Sequence, residues 1–330
     1  MTDQDSYGES LEVTWQLDET SVYGTLVRPS GPGPFPGVVM VAGSGPTDRD
    51  WNSPLLPGTN GSARLLAEAL ARAGIASLRY DKRASGPHAC ENVPLLIGKI
   101  SMQSHVDELA GAVRTMASQE YVRSDRIFAL ANSEGTLHAL NYQLHSPESP
   151  FAGLVLASPP GRAVGAVART QLAGQAARLP NGEALLALYD AAIARFLKGE
   201  PMASDPALPE GVQLLLKSLE TPANLPMARE LWMANAAPLL KQINIPVLVI
   251  IGKKDIQVDW QIDGEPLKLA AAGLEEVTFL FPENANHILK EELRPRSALV
   301  LDEMESYNAP DTRLDQEALT SILAWLVAHA

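Results

Sequence analysis

The sequence predicts an α/β fold: a mostly parallel central sheet flanked by helices and interrupted by a helical insertion. Three observations carry this. Short β-branched apolar runs alternate with helical patterns along most of the chain. The first such run, residues 37–42, is apolar at every position except Gly37, as a strand covered on both faces must be. From Pro159 to about Asn235 the alternation stops and only helical stretches remain.

The elements follow in order. Residues 11–16 and 22–28 alternate as a hairpin does. Further strands are expected at 75–80, 126–131, 151–157, 246–251 and 276–281. A helix over 62–73 ends at Gly74, a residue suited to a left-handed cap. Val106, Leu109, Val113 and Met116 recur at helical spacing, with Asp107, Glu108 and Arg114 off that stripe. Helices are also expected at 135–144 and 315–329, the latter with Leu319, Ile322, Leu323 and Leu326 on one face. Within the insertion, 183–198, 212–219 and 227–236 read as helices. The expected division is a catalytic core of 1–158 and 236–330 with a cap or lid of 159–235. Large apolar residues of that cap, Trp232 among them, are expected to line a substrate pocket.

Composition excludes several classes. Hydrophobic residues at 46% and charged residues at 20% rule out a disordered chain, and 330 residues allow one large domain or two small ones. The balance of 26 basic against 39 acidic residues gives −13, which repels nucleic acid and anionic membranes. Neither is expected as a partner. The single cysteine, Cys90, excludes an internal disulfide and a CxxC metal or redox site. The start, Met1-Thr2-Asp3-Gln4-Asp5, has neither a basic nor an apolar segment, so no secretory signal and a cytoplasmic location are expected. No metal is expected, because His, Asp and Glu do not recur at ligand spacing.

Catalytic chemistry is read from loops that follow strands. Strand 126–131 runs into Ala131-Asn132-Ser133-Glu134-Gly135 and then a helix. A tight strand-to-helix turn lifts a serine oxygen above the sheet and needs small flanking residues. Ser133 is therefore the candidate nucleophile; by itself the pattern also fits an ordinary helix N-cap. A serine needs a base. His287 follows strand 276–281, at the edge where parallel sheets place their sites. His88 is the alternative; His105 reads as solvent-facing, and His138 and His145 as pointing away from the helix tip. Asp255, after strand 246–251, is the candidate to orient the imidazole. Asp259 competes, although it also reads as the cap of a helix starting near Trp260.

The loop Gly43-Ser44-Gly45-Pro46-Thr47-Asp48-Arg49-Asp50 leaves the first apolar strand and is small enough for its backbone to approach a ligand. The backbone N–H groups of Ser44 and Glu134 are the candidate oxyanion donors. Arg79-Tyr80-Asp81-Lys82-Arg83 follows the next strand and offers charges to brace that loop through Asp48 and Asp50.

With these pieces the sequence resembles the α/β-hydrolase superfamily. Within it, the chain is similar to bacterial serine carboxylesterases with a Gly-Ser-Gly-Pro-x-Asp-Arg-Asp oxyanion loop. Residues 43–50 and 79–83, Ser133-Glu134-Gly135, residues 252–258 and 286–290 match in order, over roughly 35–330. Ala42 stands where many members have His, and Ala131 where they have Gly. The resemblance implies a cofactor-free ester hydrolase with a helical cap, acting on a small-molecule ester through Ser133, Asp255 and His287. Small uncharged substrates with apolar acyl groups are expected. Thioesters, lactones and amides pass through the same kind of intermediate, and a non-catalytic binder is the reading outside enzymes. The stretch 288–315 is long for the family and no role is derived for it.

Overall fold

A computed structural model describes residues 8–54, 58–145, 148–203, 205–299, 309 and 312–330. The opening pentapeptide and most of 300–311 therefore lie outside the described residues.

The chain begins with a hairpin, β1 (Gly8–Leu17) and β2 (Thr20–Pro29), then β3 (Phe35–Val41). Helix α1 (Ser62–Arg72) leads to β4 (Ala76–Tyr80). Helices α2 (Ala89–Leu96) and α3 (Met102–Ala117) lead to β5 (Val122–Asn132), followed by α4 (Glu134–His145) and β6 (Gly153–Ala157). The insertion holds α5 (Val164–Ala176), α6 (Gly182–Leu197), α7 (Glu210–Glu220) and α8 (Met227–Met233). The chain returns through α9 (Ala236–Leu240) to β7 (Val247–Ile250), α10 (Gly264–Ala270), β8 (Val277–Leu280) and α11 (Gln316–His329).

These strands form one sheet in the order β1-β2-β4-β3-β5-β6-β7-β8. β1 and β2, and β2 and β4, pair antiparallel; every other neighbouring pair is parallel. Burial explains the all-apolar strands. In β5, Ile127, Ala129 and Ala131 enter one core, while Phe128 and Leu130 enter the other. The first core packs under α3, α4, α9 and α10; the second packs under α1 and α11. The chain runs from β3 to β4 on one side and later to β5 on the other. The loops after β3 and β5 therefore flank the point where strand order reverses, which is where open α/β sheets form a crevice.

Several expectations are corrected. The helix expected over 227–236 is broken at Ala234. Asn235 is extended, and its side chain accepts from Ala237 N to start α9. Two helices were not anticipated: α2 contains Pro94, and α5 carries two glycines that depress its intrinsic helix preference. Gly165 in α5 is required because a Cβ there would overlap the Trp232 indole. Trp232 itself packs with Leu185, Phe196 and Leu216 in a separate apolar core inside the insertion. Leu214 and Met233, by contrast, are exposed. Among the described residues, no helix is long and apolar enough to cross a membrane.

Candidate active site

Ser133 sits between β5 and α4 with a φ of 53°. That left-handed conformation is rare for a residue with a side chain and costs about 1–3 kcal/mol, so it persists only where surroundings impose it. They do so here. Ser133 N donates to Ala157 O at the end of β6 (2.8 Å), and Ser133 O accepts from Thr136 N (3.0 Å) and Thr136 Oγ1 (2.5 Å). The small residue at 135 is obligatory, as the sequence pattern required, and the space at Gly43 is tight. A Cβ on Gly135 would lie 2.5 Å from Ala42 O, and one on Gly43 would lie 3.3 Å from Ser133 Cβ.

Asp255 is wholly buried in the turn after β7. Its Oδ1 accepts from Gln257 N (2.8 Å) and Val258 N (2.9 Å), and its Oδ2 lies 2.9 Å from His287 Nδ1. Burial alone raises its pKa. The charge and hydrogen bond of His287 outweigh that, helped by Ser158 and Val258 N, and hold the carboxyl below its ordinary value. His287, 6% exposed, is fixed by the loop after β8, where Asn286 Oδ1 accepts from Ile288 N and Lys290 N. A carboxylate that fixes one imidazole nitrogen leaves the other to exchange a proton. The link to Ser133 runs through its neighbour: Asn132 Nδ2 donates to His287 O (2.9 Å). Ser133, Asp255 and His287 thus share the C-terminal edge of one sheet, after β5, β7 and β8.

Asp259 is placed otherwise. Its Oδ1 accepts from Gln261 N and Ile262 N, and its Oδ2 pairs with Arg296 (2.7 Å). It caps a turn, and α10 begins only at Gly264. Arg296 also donates to Lys253 O and Asp255 O, so it clamps the turn that carries the buried acid. His88 is half-buried, stacked on Tyr23 and paired with Glu91.

The loop after β3 is braced, though not quite as expected. Arg79 Nε pairs with Asp50 (2.6 Å), and Arg49 grips Asp81 through Nε and Nη2. Asp48 instead accepts from Asp50 N, Asn52 N and Asn52 Nδ2 inside its own loop. Ser44 is exposed at the rim. Lys82 Nζ donates to Gly43 O (2.6 Å), Gly45 O (3.3 Å) and Glu134 Oε1 (2.9 Å).

Beneath Glu134 lies a buried polar network that the sequence reading missed. His138 reaches back one turn, with Nε2 3.1 Å from Glu134 Oε1. His105 is 9% exposed, not solvent-facing, and its Nδ1 meets Glu108 Oε2 (3.1 Å). Glu108 is buried and also accepts from Arg83 (2.9 Å). Burial pushes the His138 pKa down to about 4, so its ring is neutral at neutral pH. Its Nδ1 is buried with no partner among the described residues. Burial opposes ionisation of Glu134 as well, but the Lys82 ammonium and His138 hold its pKa well below the ordinary value.

The donor atoms of His105, Glu134 and His138 lie within 4.8 Å of one another, a grouping invisible in the linear spacing. Its carboxylate already pairs with the Lys82 ammonium, so a divalent ion would enter beside a fixed positive charge. The donor set does not fit a metal well.

Known proteins agree with this architecture. Over 273 residues the chain is 27% identical to the esterase EstD of Thermotoga maritima, covering 81% of this chain and 57% of that protein. The chain thus spans little more than half of the curated relative's length. Among solved structures, an esterase of Pyrococcus furiosus superposes with a TM-score of 0.58 at 17% identity, covering 99% of this chain and 94% of that one. A proline iminopeptidase of Mycobacterium smegmatis gives 0.56 at 15% identity, covering 97% and 98% respectively. At such identities these two likenesses speak for the α/β-hydrolase fold alone. The family model described as serine aminopeptidase, S33, matches residues 59–292, more than two thirds of the chain and all three strand-edge loops that carry Ser133, Asp255 and His287: this chain belongs to that family.

Proposed function

We propose that the protein is a carboxylic ester hydrolase that works through an acyl-enzyme on Ser133. The observation that carries this reading is the buried Asp255–His287 pair, 2.9 Å apart, at the same sheet edge as a serine held at φ 53°. Ser133 Oγ attacks the ester carbonyl carbon while His287 Nε2 takes its proton. Asp255 keeps the proton on Nδ1 and stabilises the imidazolium. The N–H groups of Ser44 and Glu134 receive the oxyanion. The tetrahedral intermediate collapses, the C–O bond to the alcohol breaks, and His287 protonates the departing oxygen. Water, activated by His287, then attacks the acyl-enzyme and releases the acid.

Residues 159–235 act in this proposal as a cap. Two contacts support it: Gln171 Nε2 donates to Gln257 O (2.9 Å), and Arg162 pairs with Asp263 through both carboxylate oxygens (3.0 Å each). Both partners lie just past Asp255, so the insertion leans over the acid end of the site. A cavity of about 220 Å³ lies along this seam, between α5 and the turn at 256–262. The surplus of negative charge favours small uncharged esters with apolar acyl groups over anionic substrates.

Incubation with a fluorophosphonate and mapping of the adduct tests the nucleophile; a label on any residue but Ser133 rejects it. Ser133→Ala should lower turnover of a p-nitrophenyl ester by about 10⁴-fold or more with the fold intact. The family description favours one competing reading, cleavage of an amide next to a free amino terminus. Amino-acid p-nitroanilides turned over faster than p-nitrophenyl esters would replace the ester assignment by that one.

A further inference from the structure

Resting on the reading above, we infer that Lys82 is a positioning residue that aims the Ser44 oxyanion donor and, through the Glu134 side chain, ties its loop to the helix that supplies the second donor. Three adjacent strands in the order β4-β3-β5 deliver the parts: Lys82 follows β4, Gly43 and Gly45 follow β3, and Glu134 follows β5. The ammonium has three hydrogens, and three acceptors surround it: Gly43 O at 2.6 Å, Gly45 O at 3.3 Å and Glu134 Oε1 at 2.9 Å. The group is 7% exposed, so water does not compete for these bonds.

The consequence follows from peptide geometry. In a trans peptide the C=O of one residue and the N–H of the next point in opposite directions. By gripping Gly43 O, Lys82 turns the Gly43–Ser44 peptide so that Ser44 N–H faces away from the ammonium. Glycine lies on both sides of Ser44, and Gly45 is at φ 83°, so the loop has little intrinsic resistance to a flip of that peptide. Thr47 gives partial support, with its Oγ1 3.3 Å from Gly43 O, but it belongs to the same loop. Among the described residues, Lys82 is the side chain that bonds both this loop and Glu134 of α4, where the second donor lies. An oxyanion site acts through donors already oriented before charge develops. Lys82 therefore affects the rate of the chemical step without touching substrate.

The test uses Lys82→Met, Glu134→Gln and their combination in the full chain. Lys82→Met alone strands a buried carboxylate, whereas the double variant removes both charges and keeps the backbone donors. Thermal unfolding identifies the folded variants. The double variant should show a kcat at least about tenfold below that of Glu134→Gln alone, with KM changed little, because the ties to Gly43 and Gly45 are lost. Its fluorophosphonate labelling rate at Ser133 should fall in parallel. Lys82→Arg keeps the charge but replaces the tetrahedral donor set with a planar fork, and should also lose kcat. It serves as the second variant if the double variant does not fold. Wild-type kcat and labelling rates in the folded Lys82 variants would overturn the inference. Failure of the unsubstituted protein to label at Ser133 would instead reject the underlying hydrolase reading.

Discussion

Exchanging one buried oxygen for an NH₂ group at Asp255 gives the sharpest test of which acid serves His287. In Asp255→Asn the side-chain carbonyl can keep the bonds from Gln257 N and Val258 N that Oδ1 accepts now. The amide nitrogen then faces His287 Nδ1, where Oδ2 lies today at 2.9 Å. A donor facing Nδ1 strips the proton from that nitrogen and moves it to Nε2, the atom that must accept the serine proton. The wrong tautomer costs about 10⁴-fold in turnover, which corresponds to about 5.5 kcal/mol of barrier. Stability should change little, since the backbone bonds survive and one buried charge disappears. Asp259→Asn is the counterpart. It retains the turn-capping oxygen and weakens the partly exposed pair with Arg296, a loss of at most ~1 kcal/mol. The assay is steady-state hydrolysis of a p-nitrophenyl ester with fluorophosphonate labelling in parallel. Near-wild-type turnover in Asp255→Asn, with collapse in Asp259→Asn, would refute the reasoning and transfer the role.

Three further outcomes are expected. Gly135→Ala places a methyl 2.5 Å from Ala42 O and 2.6 Å from Val41 O, against backbone that cannot swing aside; it should cost about 1–3 kcal/mol and slow labelling of Ser133, read by thermal unfolding and labelling kinetics. Trp232→Ala empties the centre of the insertion core and should cost ~3–5 kcal/mol, appearing as protease cleavage within 159–235; a clean shift in ester chain-length preference with no loss of stability would restore Trp232 to the substrate pocket. Burial holds the His138 pKa near 4 against an ordinary 6.5, so the unfolded chain takes up this proton first as pH falls; stability should drop by about 3 kcal/mol between those values in urea titrations, and His138→Leu should flatten that part of the profile.

The middle of the sheet was legible because its central strands are buried on both faces. Runs such as 37–42 and 151–157 carry no polar residue to confuse the period, and both fall within two residues of their observed strands. The insertion was legible only in outline. Its helices pack mainly on one another, so their apolar faces say little about the sheet, and Trp232 reads the same whether it lines a pocket or fills a core. α5 was lost because Gly165 is there for the neighbouring indole, a reason that sits more than sixty residues further along the chain.

The strand-edge residues were legible for a different reason. Ser133, Asp255 and His287 each follow an apolar run in a loop whose composition has no other obvious use. The residues that hold them in place left no such trace. Asn132, Lys82 and Arg296 act on backbone carbonyls of His287, Gly43, Gly45 and Asp255. A carbonyl belongs to every residue, so no spacing in the sequence marks the partner. His105 reads as solvent-facing and Glu108 as off the apolar stripe of α3, yet both sink once Arg83 neutralises the carboxylate from a neighbouring loop. A buried ion needs a partner of opposite sign, and that partner can come from anywhere in the fold. The Asp81-Lys82-Arg83 run held the signal. Three charges in succession directly after a buried strand are too close to the core to be solvated together, and here all three side chains turn inward to Arg49, Glu134 and Glu108.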